Sequence, residues 1–399
     1  MIAALALVAA LAAQDPPPSP ALLTLRPAEL ARARARLQRG DAALRPALDQ
    51  LLVEADSALR AGPFSVMDKQ RVPPSGDRHD YTSLGPYWWP DSSRPNGLPY
   101  IRRDGRRNPE TQLDYDAPRL HRMAGAVNTL TLAYHFTGKA DYARHAARLL
   151  RTWFLDSATR MNPNLEYAQA IPGVAPGRAA GIIETREFPR LLDALALLDG
   201  SPDWTAADRQ GMREWMGAFL DWLLTSRIGQ EEAAATNNHG SWYDVQTTAL
   251  ALFVDRPELA RRIVEASKTR RIARQIEPDG SQPRELARTR SLDYSVFNLE
   301  ALMQLAELGR QVGVDLWHYE APPPRGGSIR KALDYLAPYA DPAKRWPHEQ
   351  ITPVSPGRLL FALRMGELAY GDGAYGALLA GVPPRVARTS RVQLLYPGP

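Results

Sequence analysis

The run Asn237-Asn238-His239-Gly240-Ser241-Trp242-Tyr243-Asp244 sets two side-chain amides directly before a histidine. Apolar residues then recur at Trp242, Val245, Ala249, Leu250 and Phe253, the stripe of a helix. The triplet therefore falls at or just before a helix N-terminus, where unpaired N–H groups favour anions and disfavour a protonated imidazole. A neutral histidine beside two amides, facing an anion, is equipped to take a proton from carbon next to a carboxylate. Asn before a helix is also an ordinary cap, so the triplet gains weight only in company.

That company is spread over three further segments. Arg284, Arg288, Arg290 and Tyr294 fall within eleven positions, with Leu286 and Leu292 interrupting the charge. On one continuous helix Arg290 would share the face of Tyr294 and Arg288 would not. A break near Ser291, with Ser291 capping a new helix, frees Arg288 to turn toward the same cleft; a basic helix end with a core tyrosine is the plainer alternative. Upstream, His79-Asp80-Tyr81 and Tyr87-Trp88-Trp89-Pro90-Asp91 form an aromatic loop, in which one tryptophan is expected to anchor the loop and the other to stack on a flat ligand face. Arg102, Arg103, Arg106 and Arg107 follow, either a carboxylate clamp or a solvated turn. Between two helices, residues 161–178 can lend Asn164, Gln169 and Arg178 to a groove.

The elements that must position these residues are helical. Leu30, Ala33, Leu37, Leu44 and Leu48 mark a first helical run. Leu120 to Tyr134 and Met212 to Leu223 carry clean stripes, and 257–270, 292–310 and 357–381 supply further helices. Residues 62–115 lack a sustained period and read as one long loop whose aromatics argue for function. No β-hairpin signal and no repeat stand out. Helical hairpins without a repeat period predict an all-α chain closed as a toroid, a single domain over 29–399. The apolar opening Ile2 to Ala12, ending Ala10-Leu11-Ala12, reads as a signal peptide over 1–13, with a Pro-rich spacer over 14–28. That points to a periplasmic or secreted protein.

Composition narrows the chemistry. The 399 residues contain no cysteine, which removes disulfides, thiolate nucleophiles and cysteine metal sites. The seven histidines show no paired ligand spacing, so no metal and no cofactor is expected. Lys+Arg at 49 against Asp+Glu at 44 leaves a net charge of +5. This small excess suits a polyanionic substrate and does not announce nucleic acid. The apolar opening is too short to span a bilayer, so no membrane partner is expected.

Taken in order, His79 to Asp91, the Asn162-Pro163-Asn164-Leu165 loop, Asn237-Asn238-His239 and Arg284 to Tyr294 resemble the alginate lyase domain family over roughly residues 60–380. The pattern is similar to polysaccharide lyase family 5 and, in its loops, to family 38. The resemblance implies an (α/α) toroid with a groove for an anionic polysaccharide, cleaved by β-elimination at a uronate. It implies that Asn238 neutralises the substrate carboxylate, and that His239 is a donor on the carboxylate side or, for one epimer, the base. Tyr294 would protonate the leaving O4 and often act as base as well, its pKa lowered by neighbouring arginines. Arg288 is the matching arginine, with Arg290 as fallback. His79, Tyr81, Tyr87, Trp88, Trp89, Asn164, Gln169, Arg178, Asn237, Trp242, Arg284 and Arg290 are expected to contact the chain of sugars. Two rival readings are a glycoside hydrolase, for which Asp80, Asp244 and Glu285 are the available carboxylates, and a non-catalytic polysaccharide-binding protein.

Overall fold

The computed structural model describes residues 21–398, so the expected signal peptide and the first part of the Pro-rich spacer lie outside the described residues. Helices α1 (Pro27–Gln38) and α2 (Arg45–Ala58) open the chain. After the long aromatic segment come α3 (Asp116–Thr137), α4 (Ala140–Leu150), α5 (Phe188–Leu198), α6 (Ala206–Thr225), α7 (Arg227–Ala233), α8 (Asn238–Phe253) and α9 (Pro257–Ser267). Two short turns of helix, α10 (Ala273–Gln275) and α11 (Pro283–Leu286), lead to α12 (Ser291–Gln311), α13 (Ile329–Leu336) and α14 (Leu360–Tyr370). Among the described residues no helix is long and apolar enough to cross a membrane.

Helix α3 packs on α5, α5 on α8 and α8 on α12, forming an inner arc. Around it, α2 and α4 lie against α3, α6 and α9 against α8, and α13 and α14 against α12. This is the (α/α) toroid expected from the sequence. Its apolar core runs without interruption from Leu22 to Tyr396. Outer helices show one buried face: α6 buries Met212, Trp215, Met216, Phe219, Leu220 and Leu223, and starts with a capping box between Thr205 and Asp208. The inner α8 differs, since every residue from Gly240 to Ala251 is buried. Its polar side chains therefore need protein partners. Asp244 accepts two bonds from Arg271 at 2.7 and 2.9 Å, and Gln246 accepts from Thr185 at 2.6 Å.

Several sequence expectations require correction. The helical run over 30–48 is two helices, parted at Gly40, whose φ of +81° favours glycine. The spacer is not free over its last residues. Leu22 is in the core, and the backbone N–H groups of Leu23 and Thr24 donate to the buried Asp193 on α5. The segment 62–115 is ordered rather than one irregular loop. It contributes β1 (Thr82–Leu84), β2 (Trp88–Trp89) and β3 (Ile101–Arg102), and β4 (Tyr167–Ala170) lies further on. β2 and β3 pair antiparallel, Trp88 opposite Arg102, whereas β1 pairs parallel with β4, Thr82 opposite Tyr167. Strands of two to four residues are too short to show alternation in the sequence. The segment is clamped by a buried ion pair, Lys69 to Asp116 at 3.0 Å, whose carboxylate also takes the N–H of Thr82 at 2.8 Å.

Candidate active site

A cleft of about 930 Å³ opens at one rim of the toroid. The N-terminus of α8 supplies Asn237, Asn238 and His239; the start of α12 and the turn before it supply Arg288, Arg290, Asp293, Tyr294 and Phe297. The aromatic segment brings Tyr87, Trp88, Arg102 and Arg107, and the β4 region brings Gln169 and Arg178. Helix α3 adds His121 and Arg122. Eight arginines line the cleft (102, 107, 122, 178, 186, 288, 290 and 358) against two carboxylates, Glu184 and Asp293. A modest net charge has thus been concentrated at one place.

Both carboxylates are already engaged. Glu184 is buried and accepts from Tyr81 and Ser83, each at 2.7 Å, while Asp293 accepts from Arg290 at 2.7 Å and Gln350 at 2.9 Å. The three carboxylates considered for hydrolysis are taken as well. Asp80 holds Asn162 and Asn164, Asp244 holds Arg271, and Glu285 holds Asn238. Among the described residues no group of three or more His, Cys, Asp or Glu is arranged to hold a metal ion.

Asn238 is fixed by Glu285, which accepts its backbone N–H and its Nδ2, both at 2.7 Å. The carboxyl of Glu285 is pushed up by burial, with the Asn238 bonds opposing. One amide hydrogen of Asn238 is spent on this contact and the other is left for a ligand. His239 holds Glu232 through Nδ1 at 2.6 Å, and Glu232 is almost wholly buried. With Nδ1 engaged in this way, Nε2 is the ring nitrogen left for another partner.

Ser291 is the first residue of α12 and not its cap; its hydroxyl donates to Glu349 O at 2.6 Å and the capping position is Arg290. The chain does break before it, between α11 and α12, and Arg288 turns accordingly. Its guanidinium lies 3.8 Å from the centre of the Tyr294 ring and makes two bonds to Asp104, at 3.0 and 2.8 Å. Burial alone would raise the Asp104 carboxyl, but Arg288 overrides it and holds the group well below its ordinary value. Tyr294 does not behave as expected. Burial, together with the Tyr87 hydroxyl 2.6 Å away, pushes its phenol well above the ordinary value, and the nearby Arg288 only partly offsets this. Desolvation beats the guanidinium because that charge is already neutralised by Asp104. The tyrosine is therefore held protonated.

Ten sequence-expected residues meet in the cleft: Tyr87, Trp88, Gln169, Arg178, Asn237, Asn238, His239, Arg288, Arg290 and Tyr294. Six others do not line it. Tyr81 is wholly buried, with its hydroxyl on Glu184. Trp242 is buried against Phe297, the ring centres 5.0 Å apart. Trp89 anchors the β2–β3 ribbon by donating Nε1 to Arg106 O at 2.9 Å. His79 is stapled to Arg160 O at 2.6 Å and Asn164 to Asp80 at 3.0 Å, so both hold loops together. Arg284 is exposed, because its neighbour Glu285 takes the inward face of the short α11 and adjacent positions on a helix point apart. His121, Arg122, Arg186, Arg358 and Phe297 line the cleft although no motif singled them out. Their one signal was position on helices that also carry core stripes.

The alginate lyase family model matches residues 65–346. Among solved structures, an alginate lyase from Bacteroides ovatus is 39% identical, with 94% of this chain and 99% of that chain covered and a TM-score of 0.89. The alginate lyase A1-III from Sphingomonas species A1 is 18% identical over 93% of this chain and 95% of its own, with a TM-score of 0.59. A histidine-to-alanine variant of A1-III complexed with a tetrasaccharide aligns over 97% of this chain and 99% of its own, at 18% identity and a TM-score of 0.58. At that identity the A1-III structures speak for the fold alone. None of the curated proteins matches the chain.

Proposed function

Because this chain belongs to the alginate lyase family and is a polysaccharide lyase, we propose that its arginine-lined cleft binds alginate or a related polyuronate and cleaves it by β-elimination, with His239 as base and Tyr294 as acid. The observation that carries this reading is a histidine and a tyrosine in one cleft, the first with Nδ1 held by a buried carboxylate so that Nε2 is the nitrogen left to take a proton, the second with its phenol pushed up by burial. A proton acceptor and a proton donor facing one cleft are the two groups that an elimination needs.

The C5 proton of a uronate is only weakly acidic until the charge of its carboxylate is offset. Asn238, with one amide hydrogen left, and the cleft arginines led by Arg288 are the donors that stabilise the enolate-like transition state. Nε2 of His239 takes the C5 proton, and the electron pair of that C–H bond becomes the C4–C5 double bond. The C4–O4 bond breaks, and O4 receives the proton of Tyr294. Solvent then takes the proton from His239 and restores one to Tyr294, relayed by Tyr87 through their 2.6 Å contact, so both groups return to their starting states. Atoms and charge balance without a cofactor or a metal.

The reading is tested with mannuronan, mixed alginate and glucuronan in heavy water, following the near-ultraviolet absorbance of the unsaturated product and deuterium at C5 of unreacted substrate. Tyr294→Phe should stop product while C5 exchange continues, and His239→Gln should stop both. Exchange lost in Tyr294→Phe and kept in His239→Gln would make the tyrosine the base. Absence of product from every polyuronate would remove the proposed substrate class. We further propose a periplasmic or secreted location, supported by the apolar opening that ends in Ala10-Leu11-Ala12. N-terminal sequencing of the exported protein checks it, with a mature start near residue 14 expected.

A further inference from the structure

The arginines of the cleft differ in what holds them. Arg288, Arg290 and Arg358 are each tied to carboxylates, those of Asp104, Asp293 and Glu300. Arg178 donates to Gln169 at 2.6 Å and lies over Trp88. Arg107 and Arg186 are held far more loosely. Arg107 is exposed and makes no hydrogen bond or ion pair among the described residues. Among the described residues the side chain of Arg186 has one hydrogen bond, to Ile183 O at 3.3 Å, and one ion pair, with its neighbour Glu187 at 3.8 Å.

Both of these guanidinium charges bear on one side chain, His121 of α3. Its Nε2 is buried with no hydrogen-bond partner, yet the residue lines the cleft. Burial, and next Arg186, push the imidazole down to about 4, so it is neutral at ordinary pH. An unpartnered buried polar atom costs about 1–3 kcal/mol, and the two guanidinium charges that bear on it outnumber the one carboxylate there, Glu187, leaving an excess of positive charge. An anion carrying hydroxyl groups relieves both costs at once. The spot also stands in register with the reacting groups. Phe297 follows Tyr294 by three residues on α12, so the two share a face with about 4.5 Å of rise between them. Arg186 lies over the Phe297 ring, 5.8 Å from its centre.

We propose that Arg107, His121 and Arg186 form a second carboxylate-binding subsite, which takes the uronate adjacent to the one that reacts. The two arginines pair with its carboxylate and His121 Nε2 bonds a hydroxyl of the same sugar. The proposal rests on the polyuronate reading of the cleft and sharpens it. Polymers with consecutive uronates fill both subsites, whereas polymers in which uronates alternate with neutral sugars leave one arginine pair unsatisfied.

The test is calorimetric binding of a mannuronate tetrasaccharide to Tyr294→Phe protein, which is not expected to turn the ligand over. Adding Arg107→Gln and Arg186→Gln should weaken binding at least tenfold. A control carrying Arg261→Gln and Arg262→Gln, two exposed arginines on the outer α9, should stay within twofold. The control removes the same net charge, so equal losses in both proteins would reduce the effect to general attraction and overturn the subsite. An affinity kept within twofold in the Arg107/Arg186 protein would overturn it too. Arg107→Gln alone, at an exposed position, covers the case in which the double variant folds poorly, and should weaken binding about threefold. Failure of the elimination reading would appear separately, as wild-type protein that binds the tetrasaccharide and makes no unsaturated product.

Discussion

Replacing Glu232 with Gln is the sharpest probe of the proposed chemistry, because the residue does not line the cleft and its side chain bonds His239. In the proposed mechanism the buried carboxylate accepts from Nδ1 through their 2.6 Å contact. When Nε2 takes the C5 proton the ring becomes an imidazolium, and the carboxylate then faces a full positive charge. A unit charge pair about 4 Å apart is worth about 4 kcal/mol at an effective dielectric of about 20. Part of that attraction survives as a neutral hydrogen bond to the glutamine oxygen, leaving a loss of about 3–4 kcal/mol, or about 10²–10³ in kcat. A glutamine that instead presents its N–H to Nδ1 would move the ring proton to Nε2 and remove the base altogether, so the loss can only grow. The assay is initial-rate absorbance of the unsaturated product on polyuronate, with KM measured alongside and folding checked by circular dichroism. KM should change less than threefold, since Glu232 does not line the cleft. A folded Glu232→Gln protein with kcat within threefold of wild type would refute the assignment of His239 as base.

Three other outcomes follow from the same geometry. Tyr87→Phe removes a neighbour that raises the Tyr294 phenol, so the alkaline limb of the rate profile should move to lower pH; an unmoved limb would detach Tyr87 from the proton path. Asp193, buried and raised to about 6 chiefly by burial, binds a proton more tightly folded than unfolded. Its contribution to stability is therefore fully present below about pH 4 and is lost as pH rises through about 6, by on the order of 2–3 kcal/mol; urea unfolding at pH 7 and 4.5 should show this increment in wild type and not in Asp193→Asn. Gln169 holds a left-handed backbone, φ 49°, at the cleft wall. Gln169→Gly should be more stable than Gln169→Ala by about 1 kcal/mol while both raise KM by releasing Arg178, and equal melting temperatures would show that the backbone there is unstrained.

Much of the framework was legible because helical periodicity is local. The stripes of α3, α6 and α12 need no knowledge of what they pack against, and the hydrophobic face alone fixes where each helix runs. The start of α8 at Asn238 and the break that frees Arg288 were likewise written in neighbouring residues. Burial was not, because it depends on what the rest of the chain brings up. Tyr81 and Trp242 carry the same aromatic chemistry as Tyr87 and Trp88, yet packing places the first two in the core and the second two on the cleft. The sign of the Tyr294 shift escaped for a related reason. Adjacent arginines argue for a lowered pKa, but Asp104, distant in sequence, neutralises Arg288 and leaves desolvation to win. The partners that orient the site all belong to other elements. Glu232 comes from α7, Glu285 from α11, and Asp104 from the ordered aromatic segment. The sequence by itself determined which elements form and which residues carry chemistry. Only the tertiary structure decided which of them meet, how each is charged and which are hidden, because desolvation and hydrogen bonding act through space between segments that the chain keeps far apart.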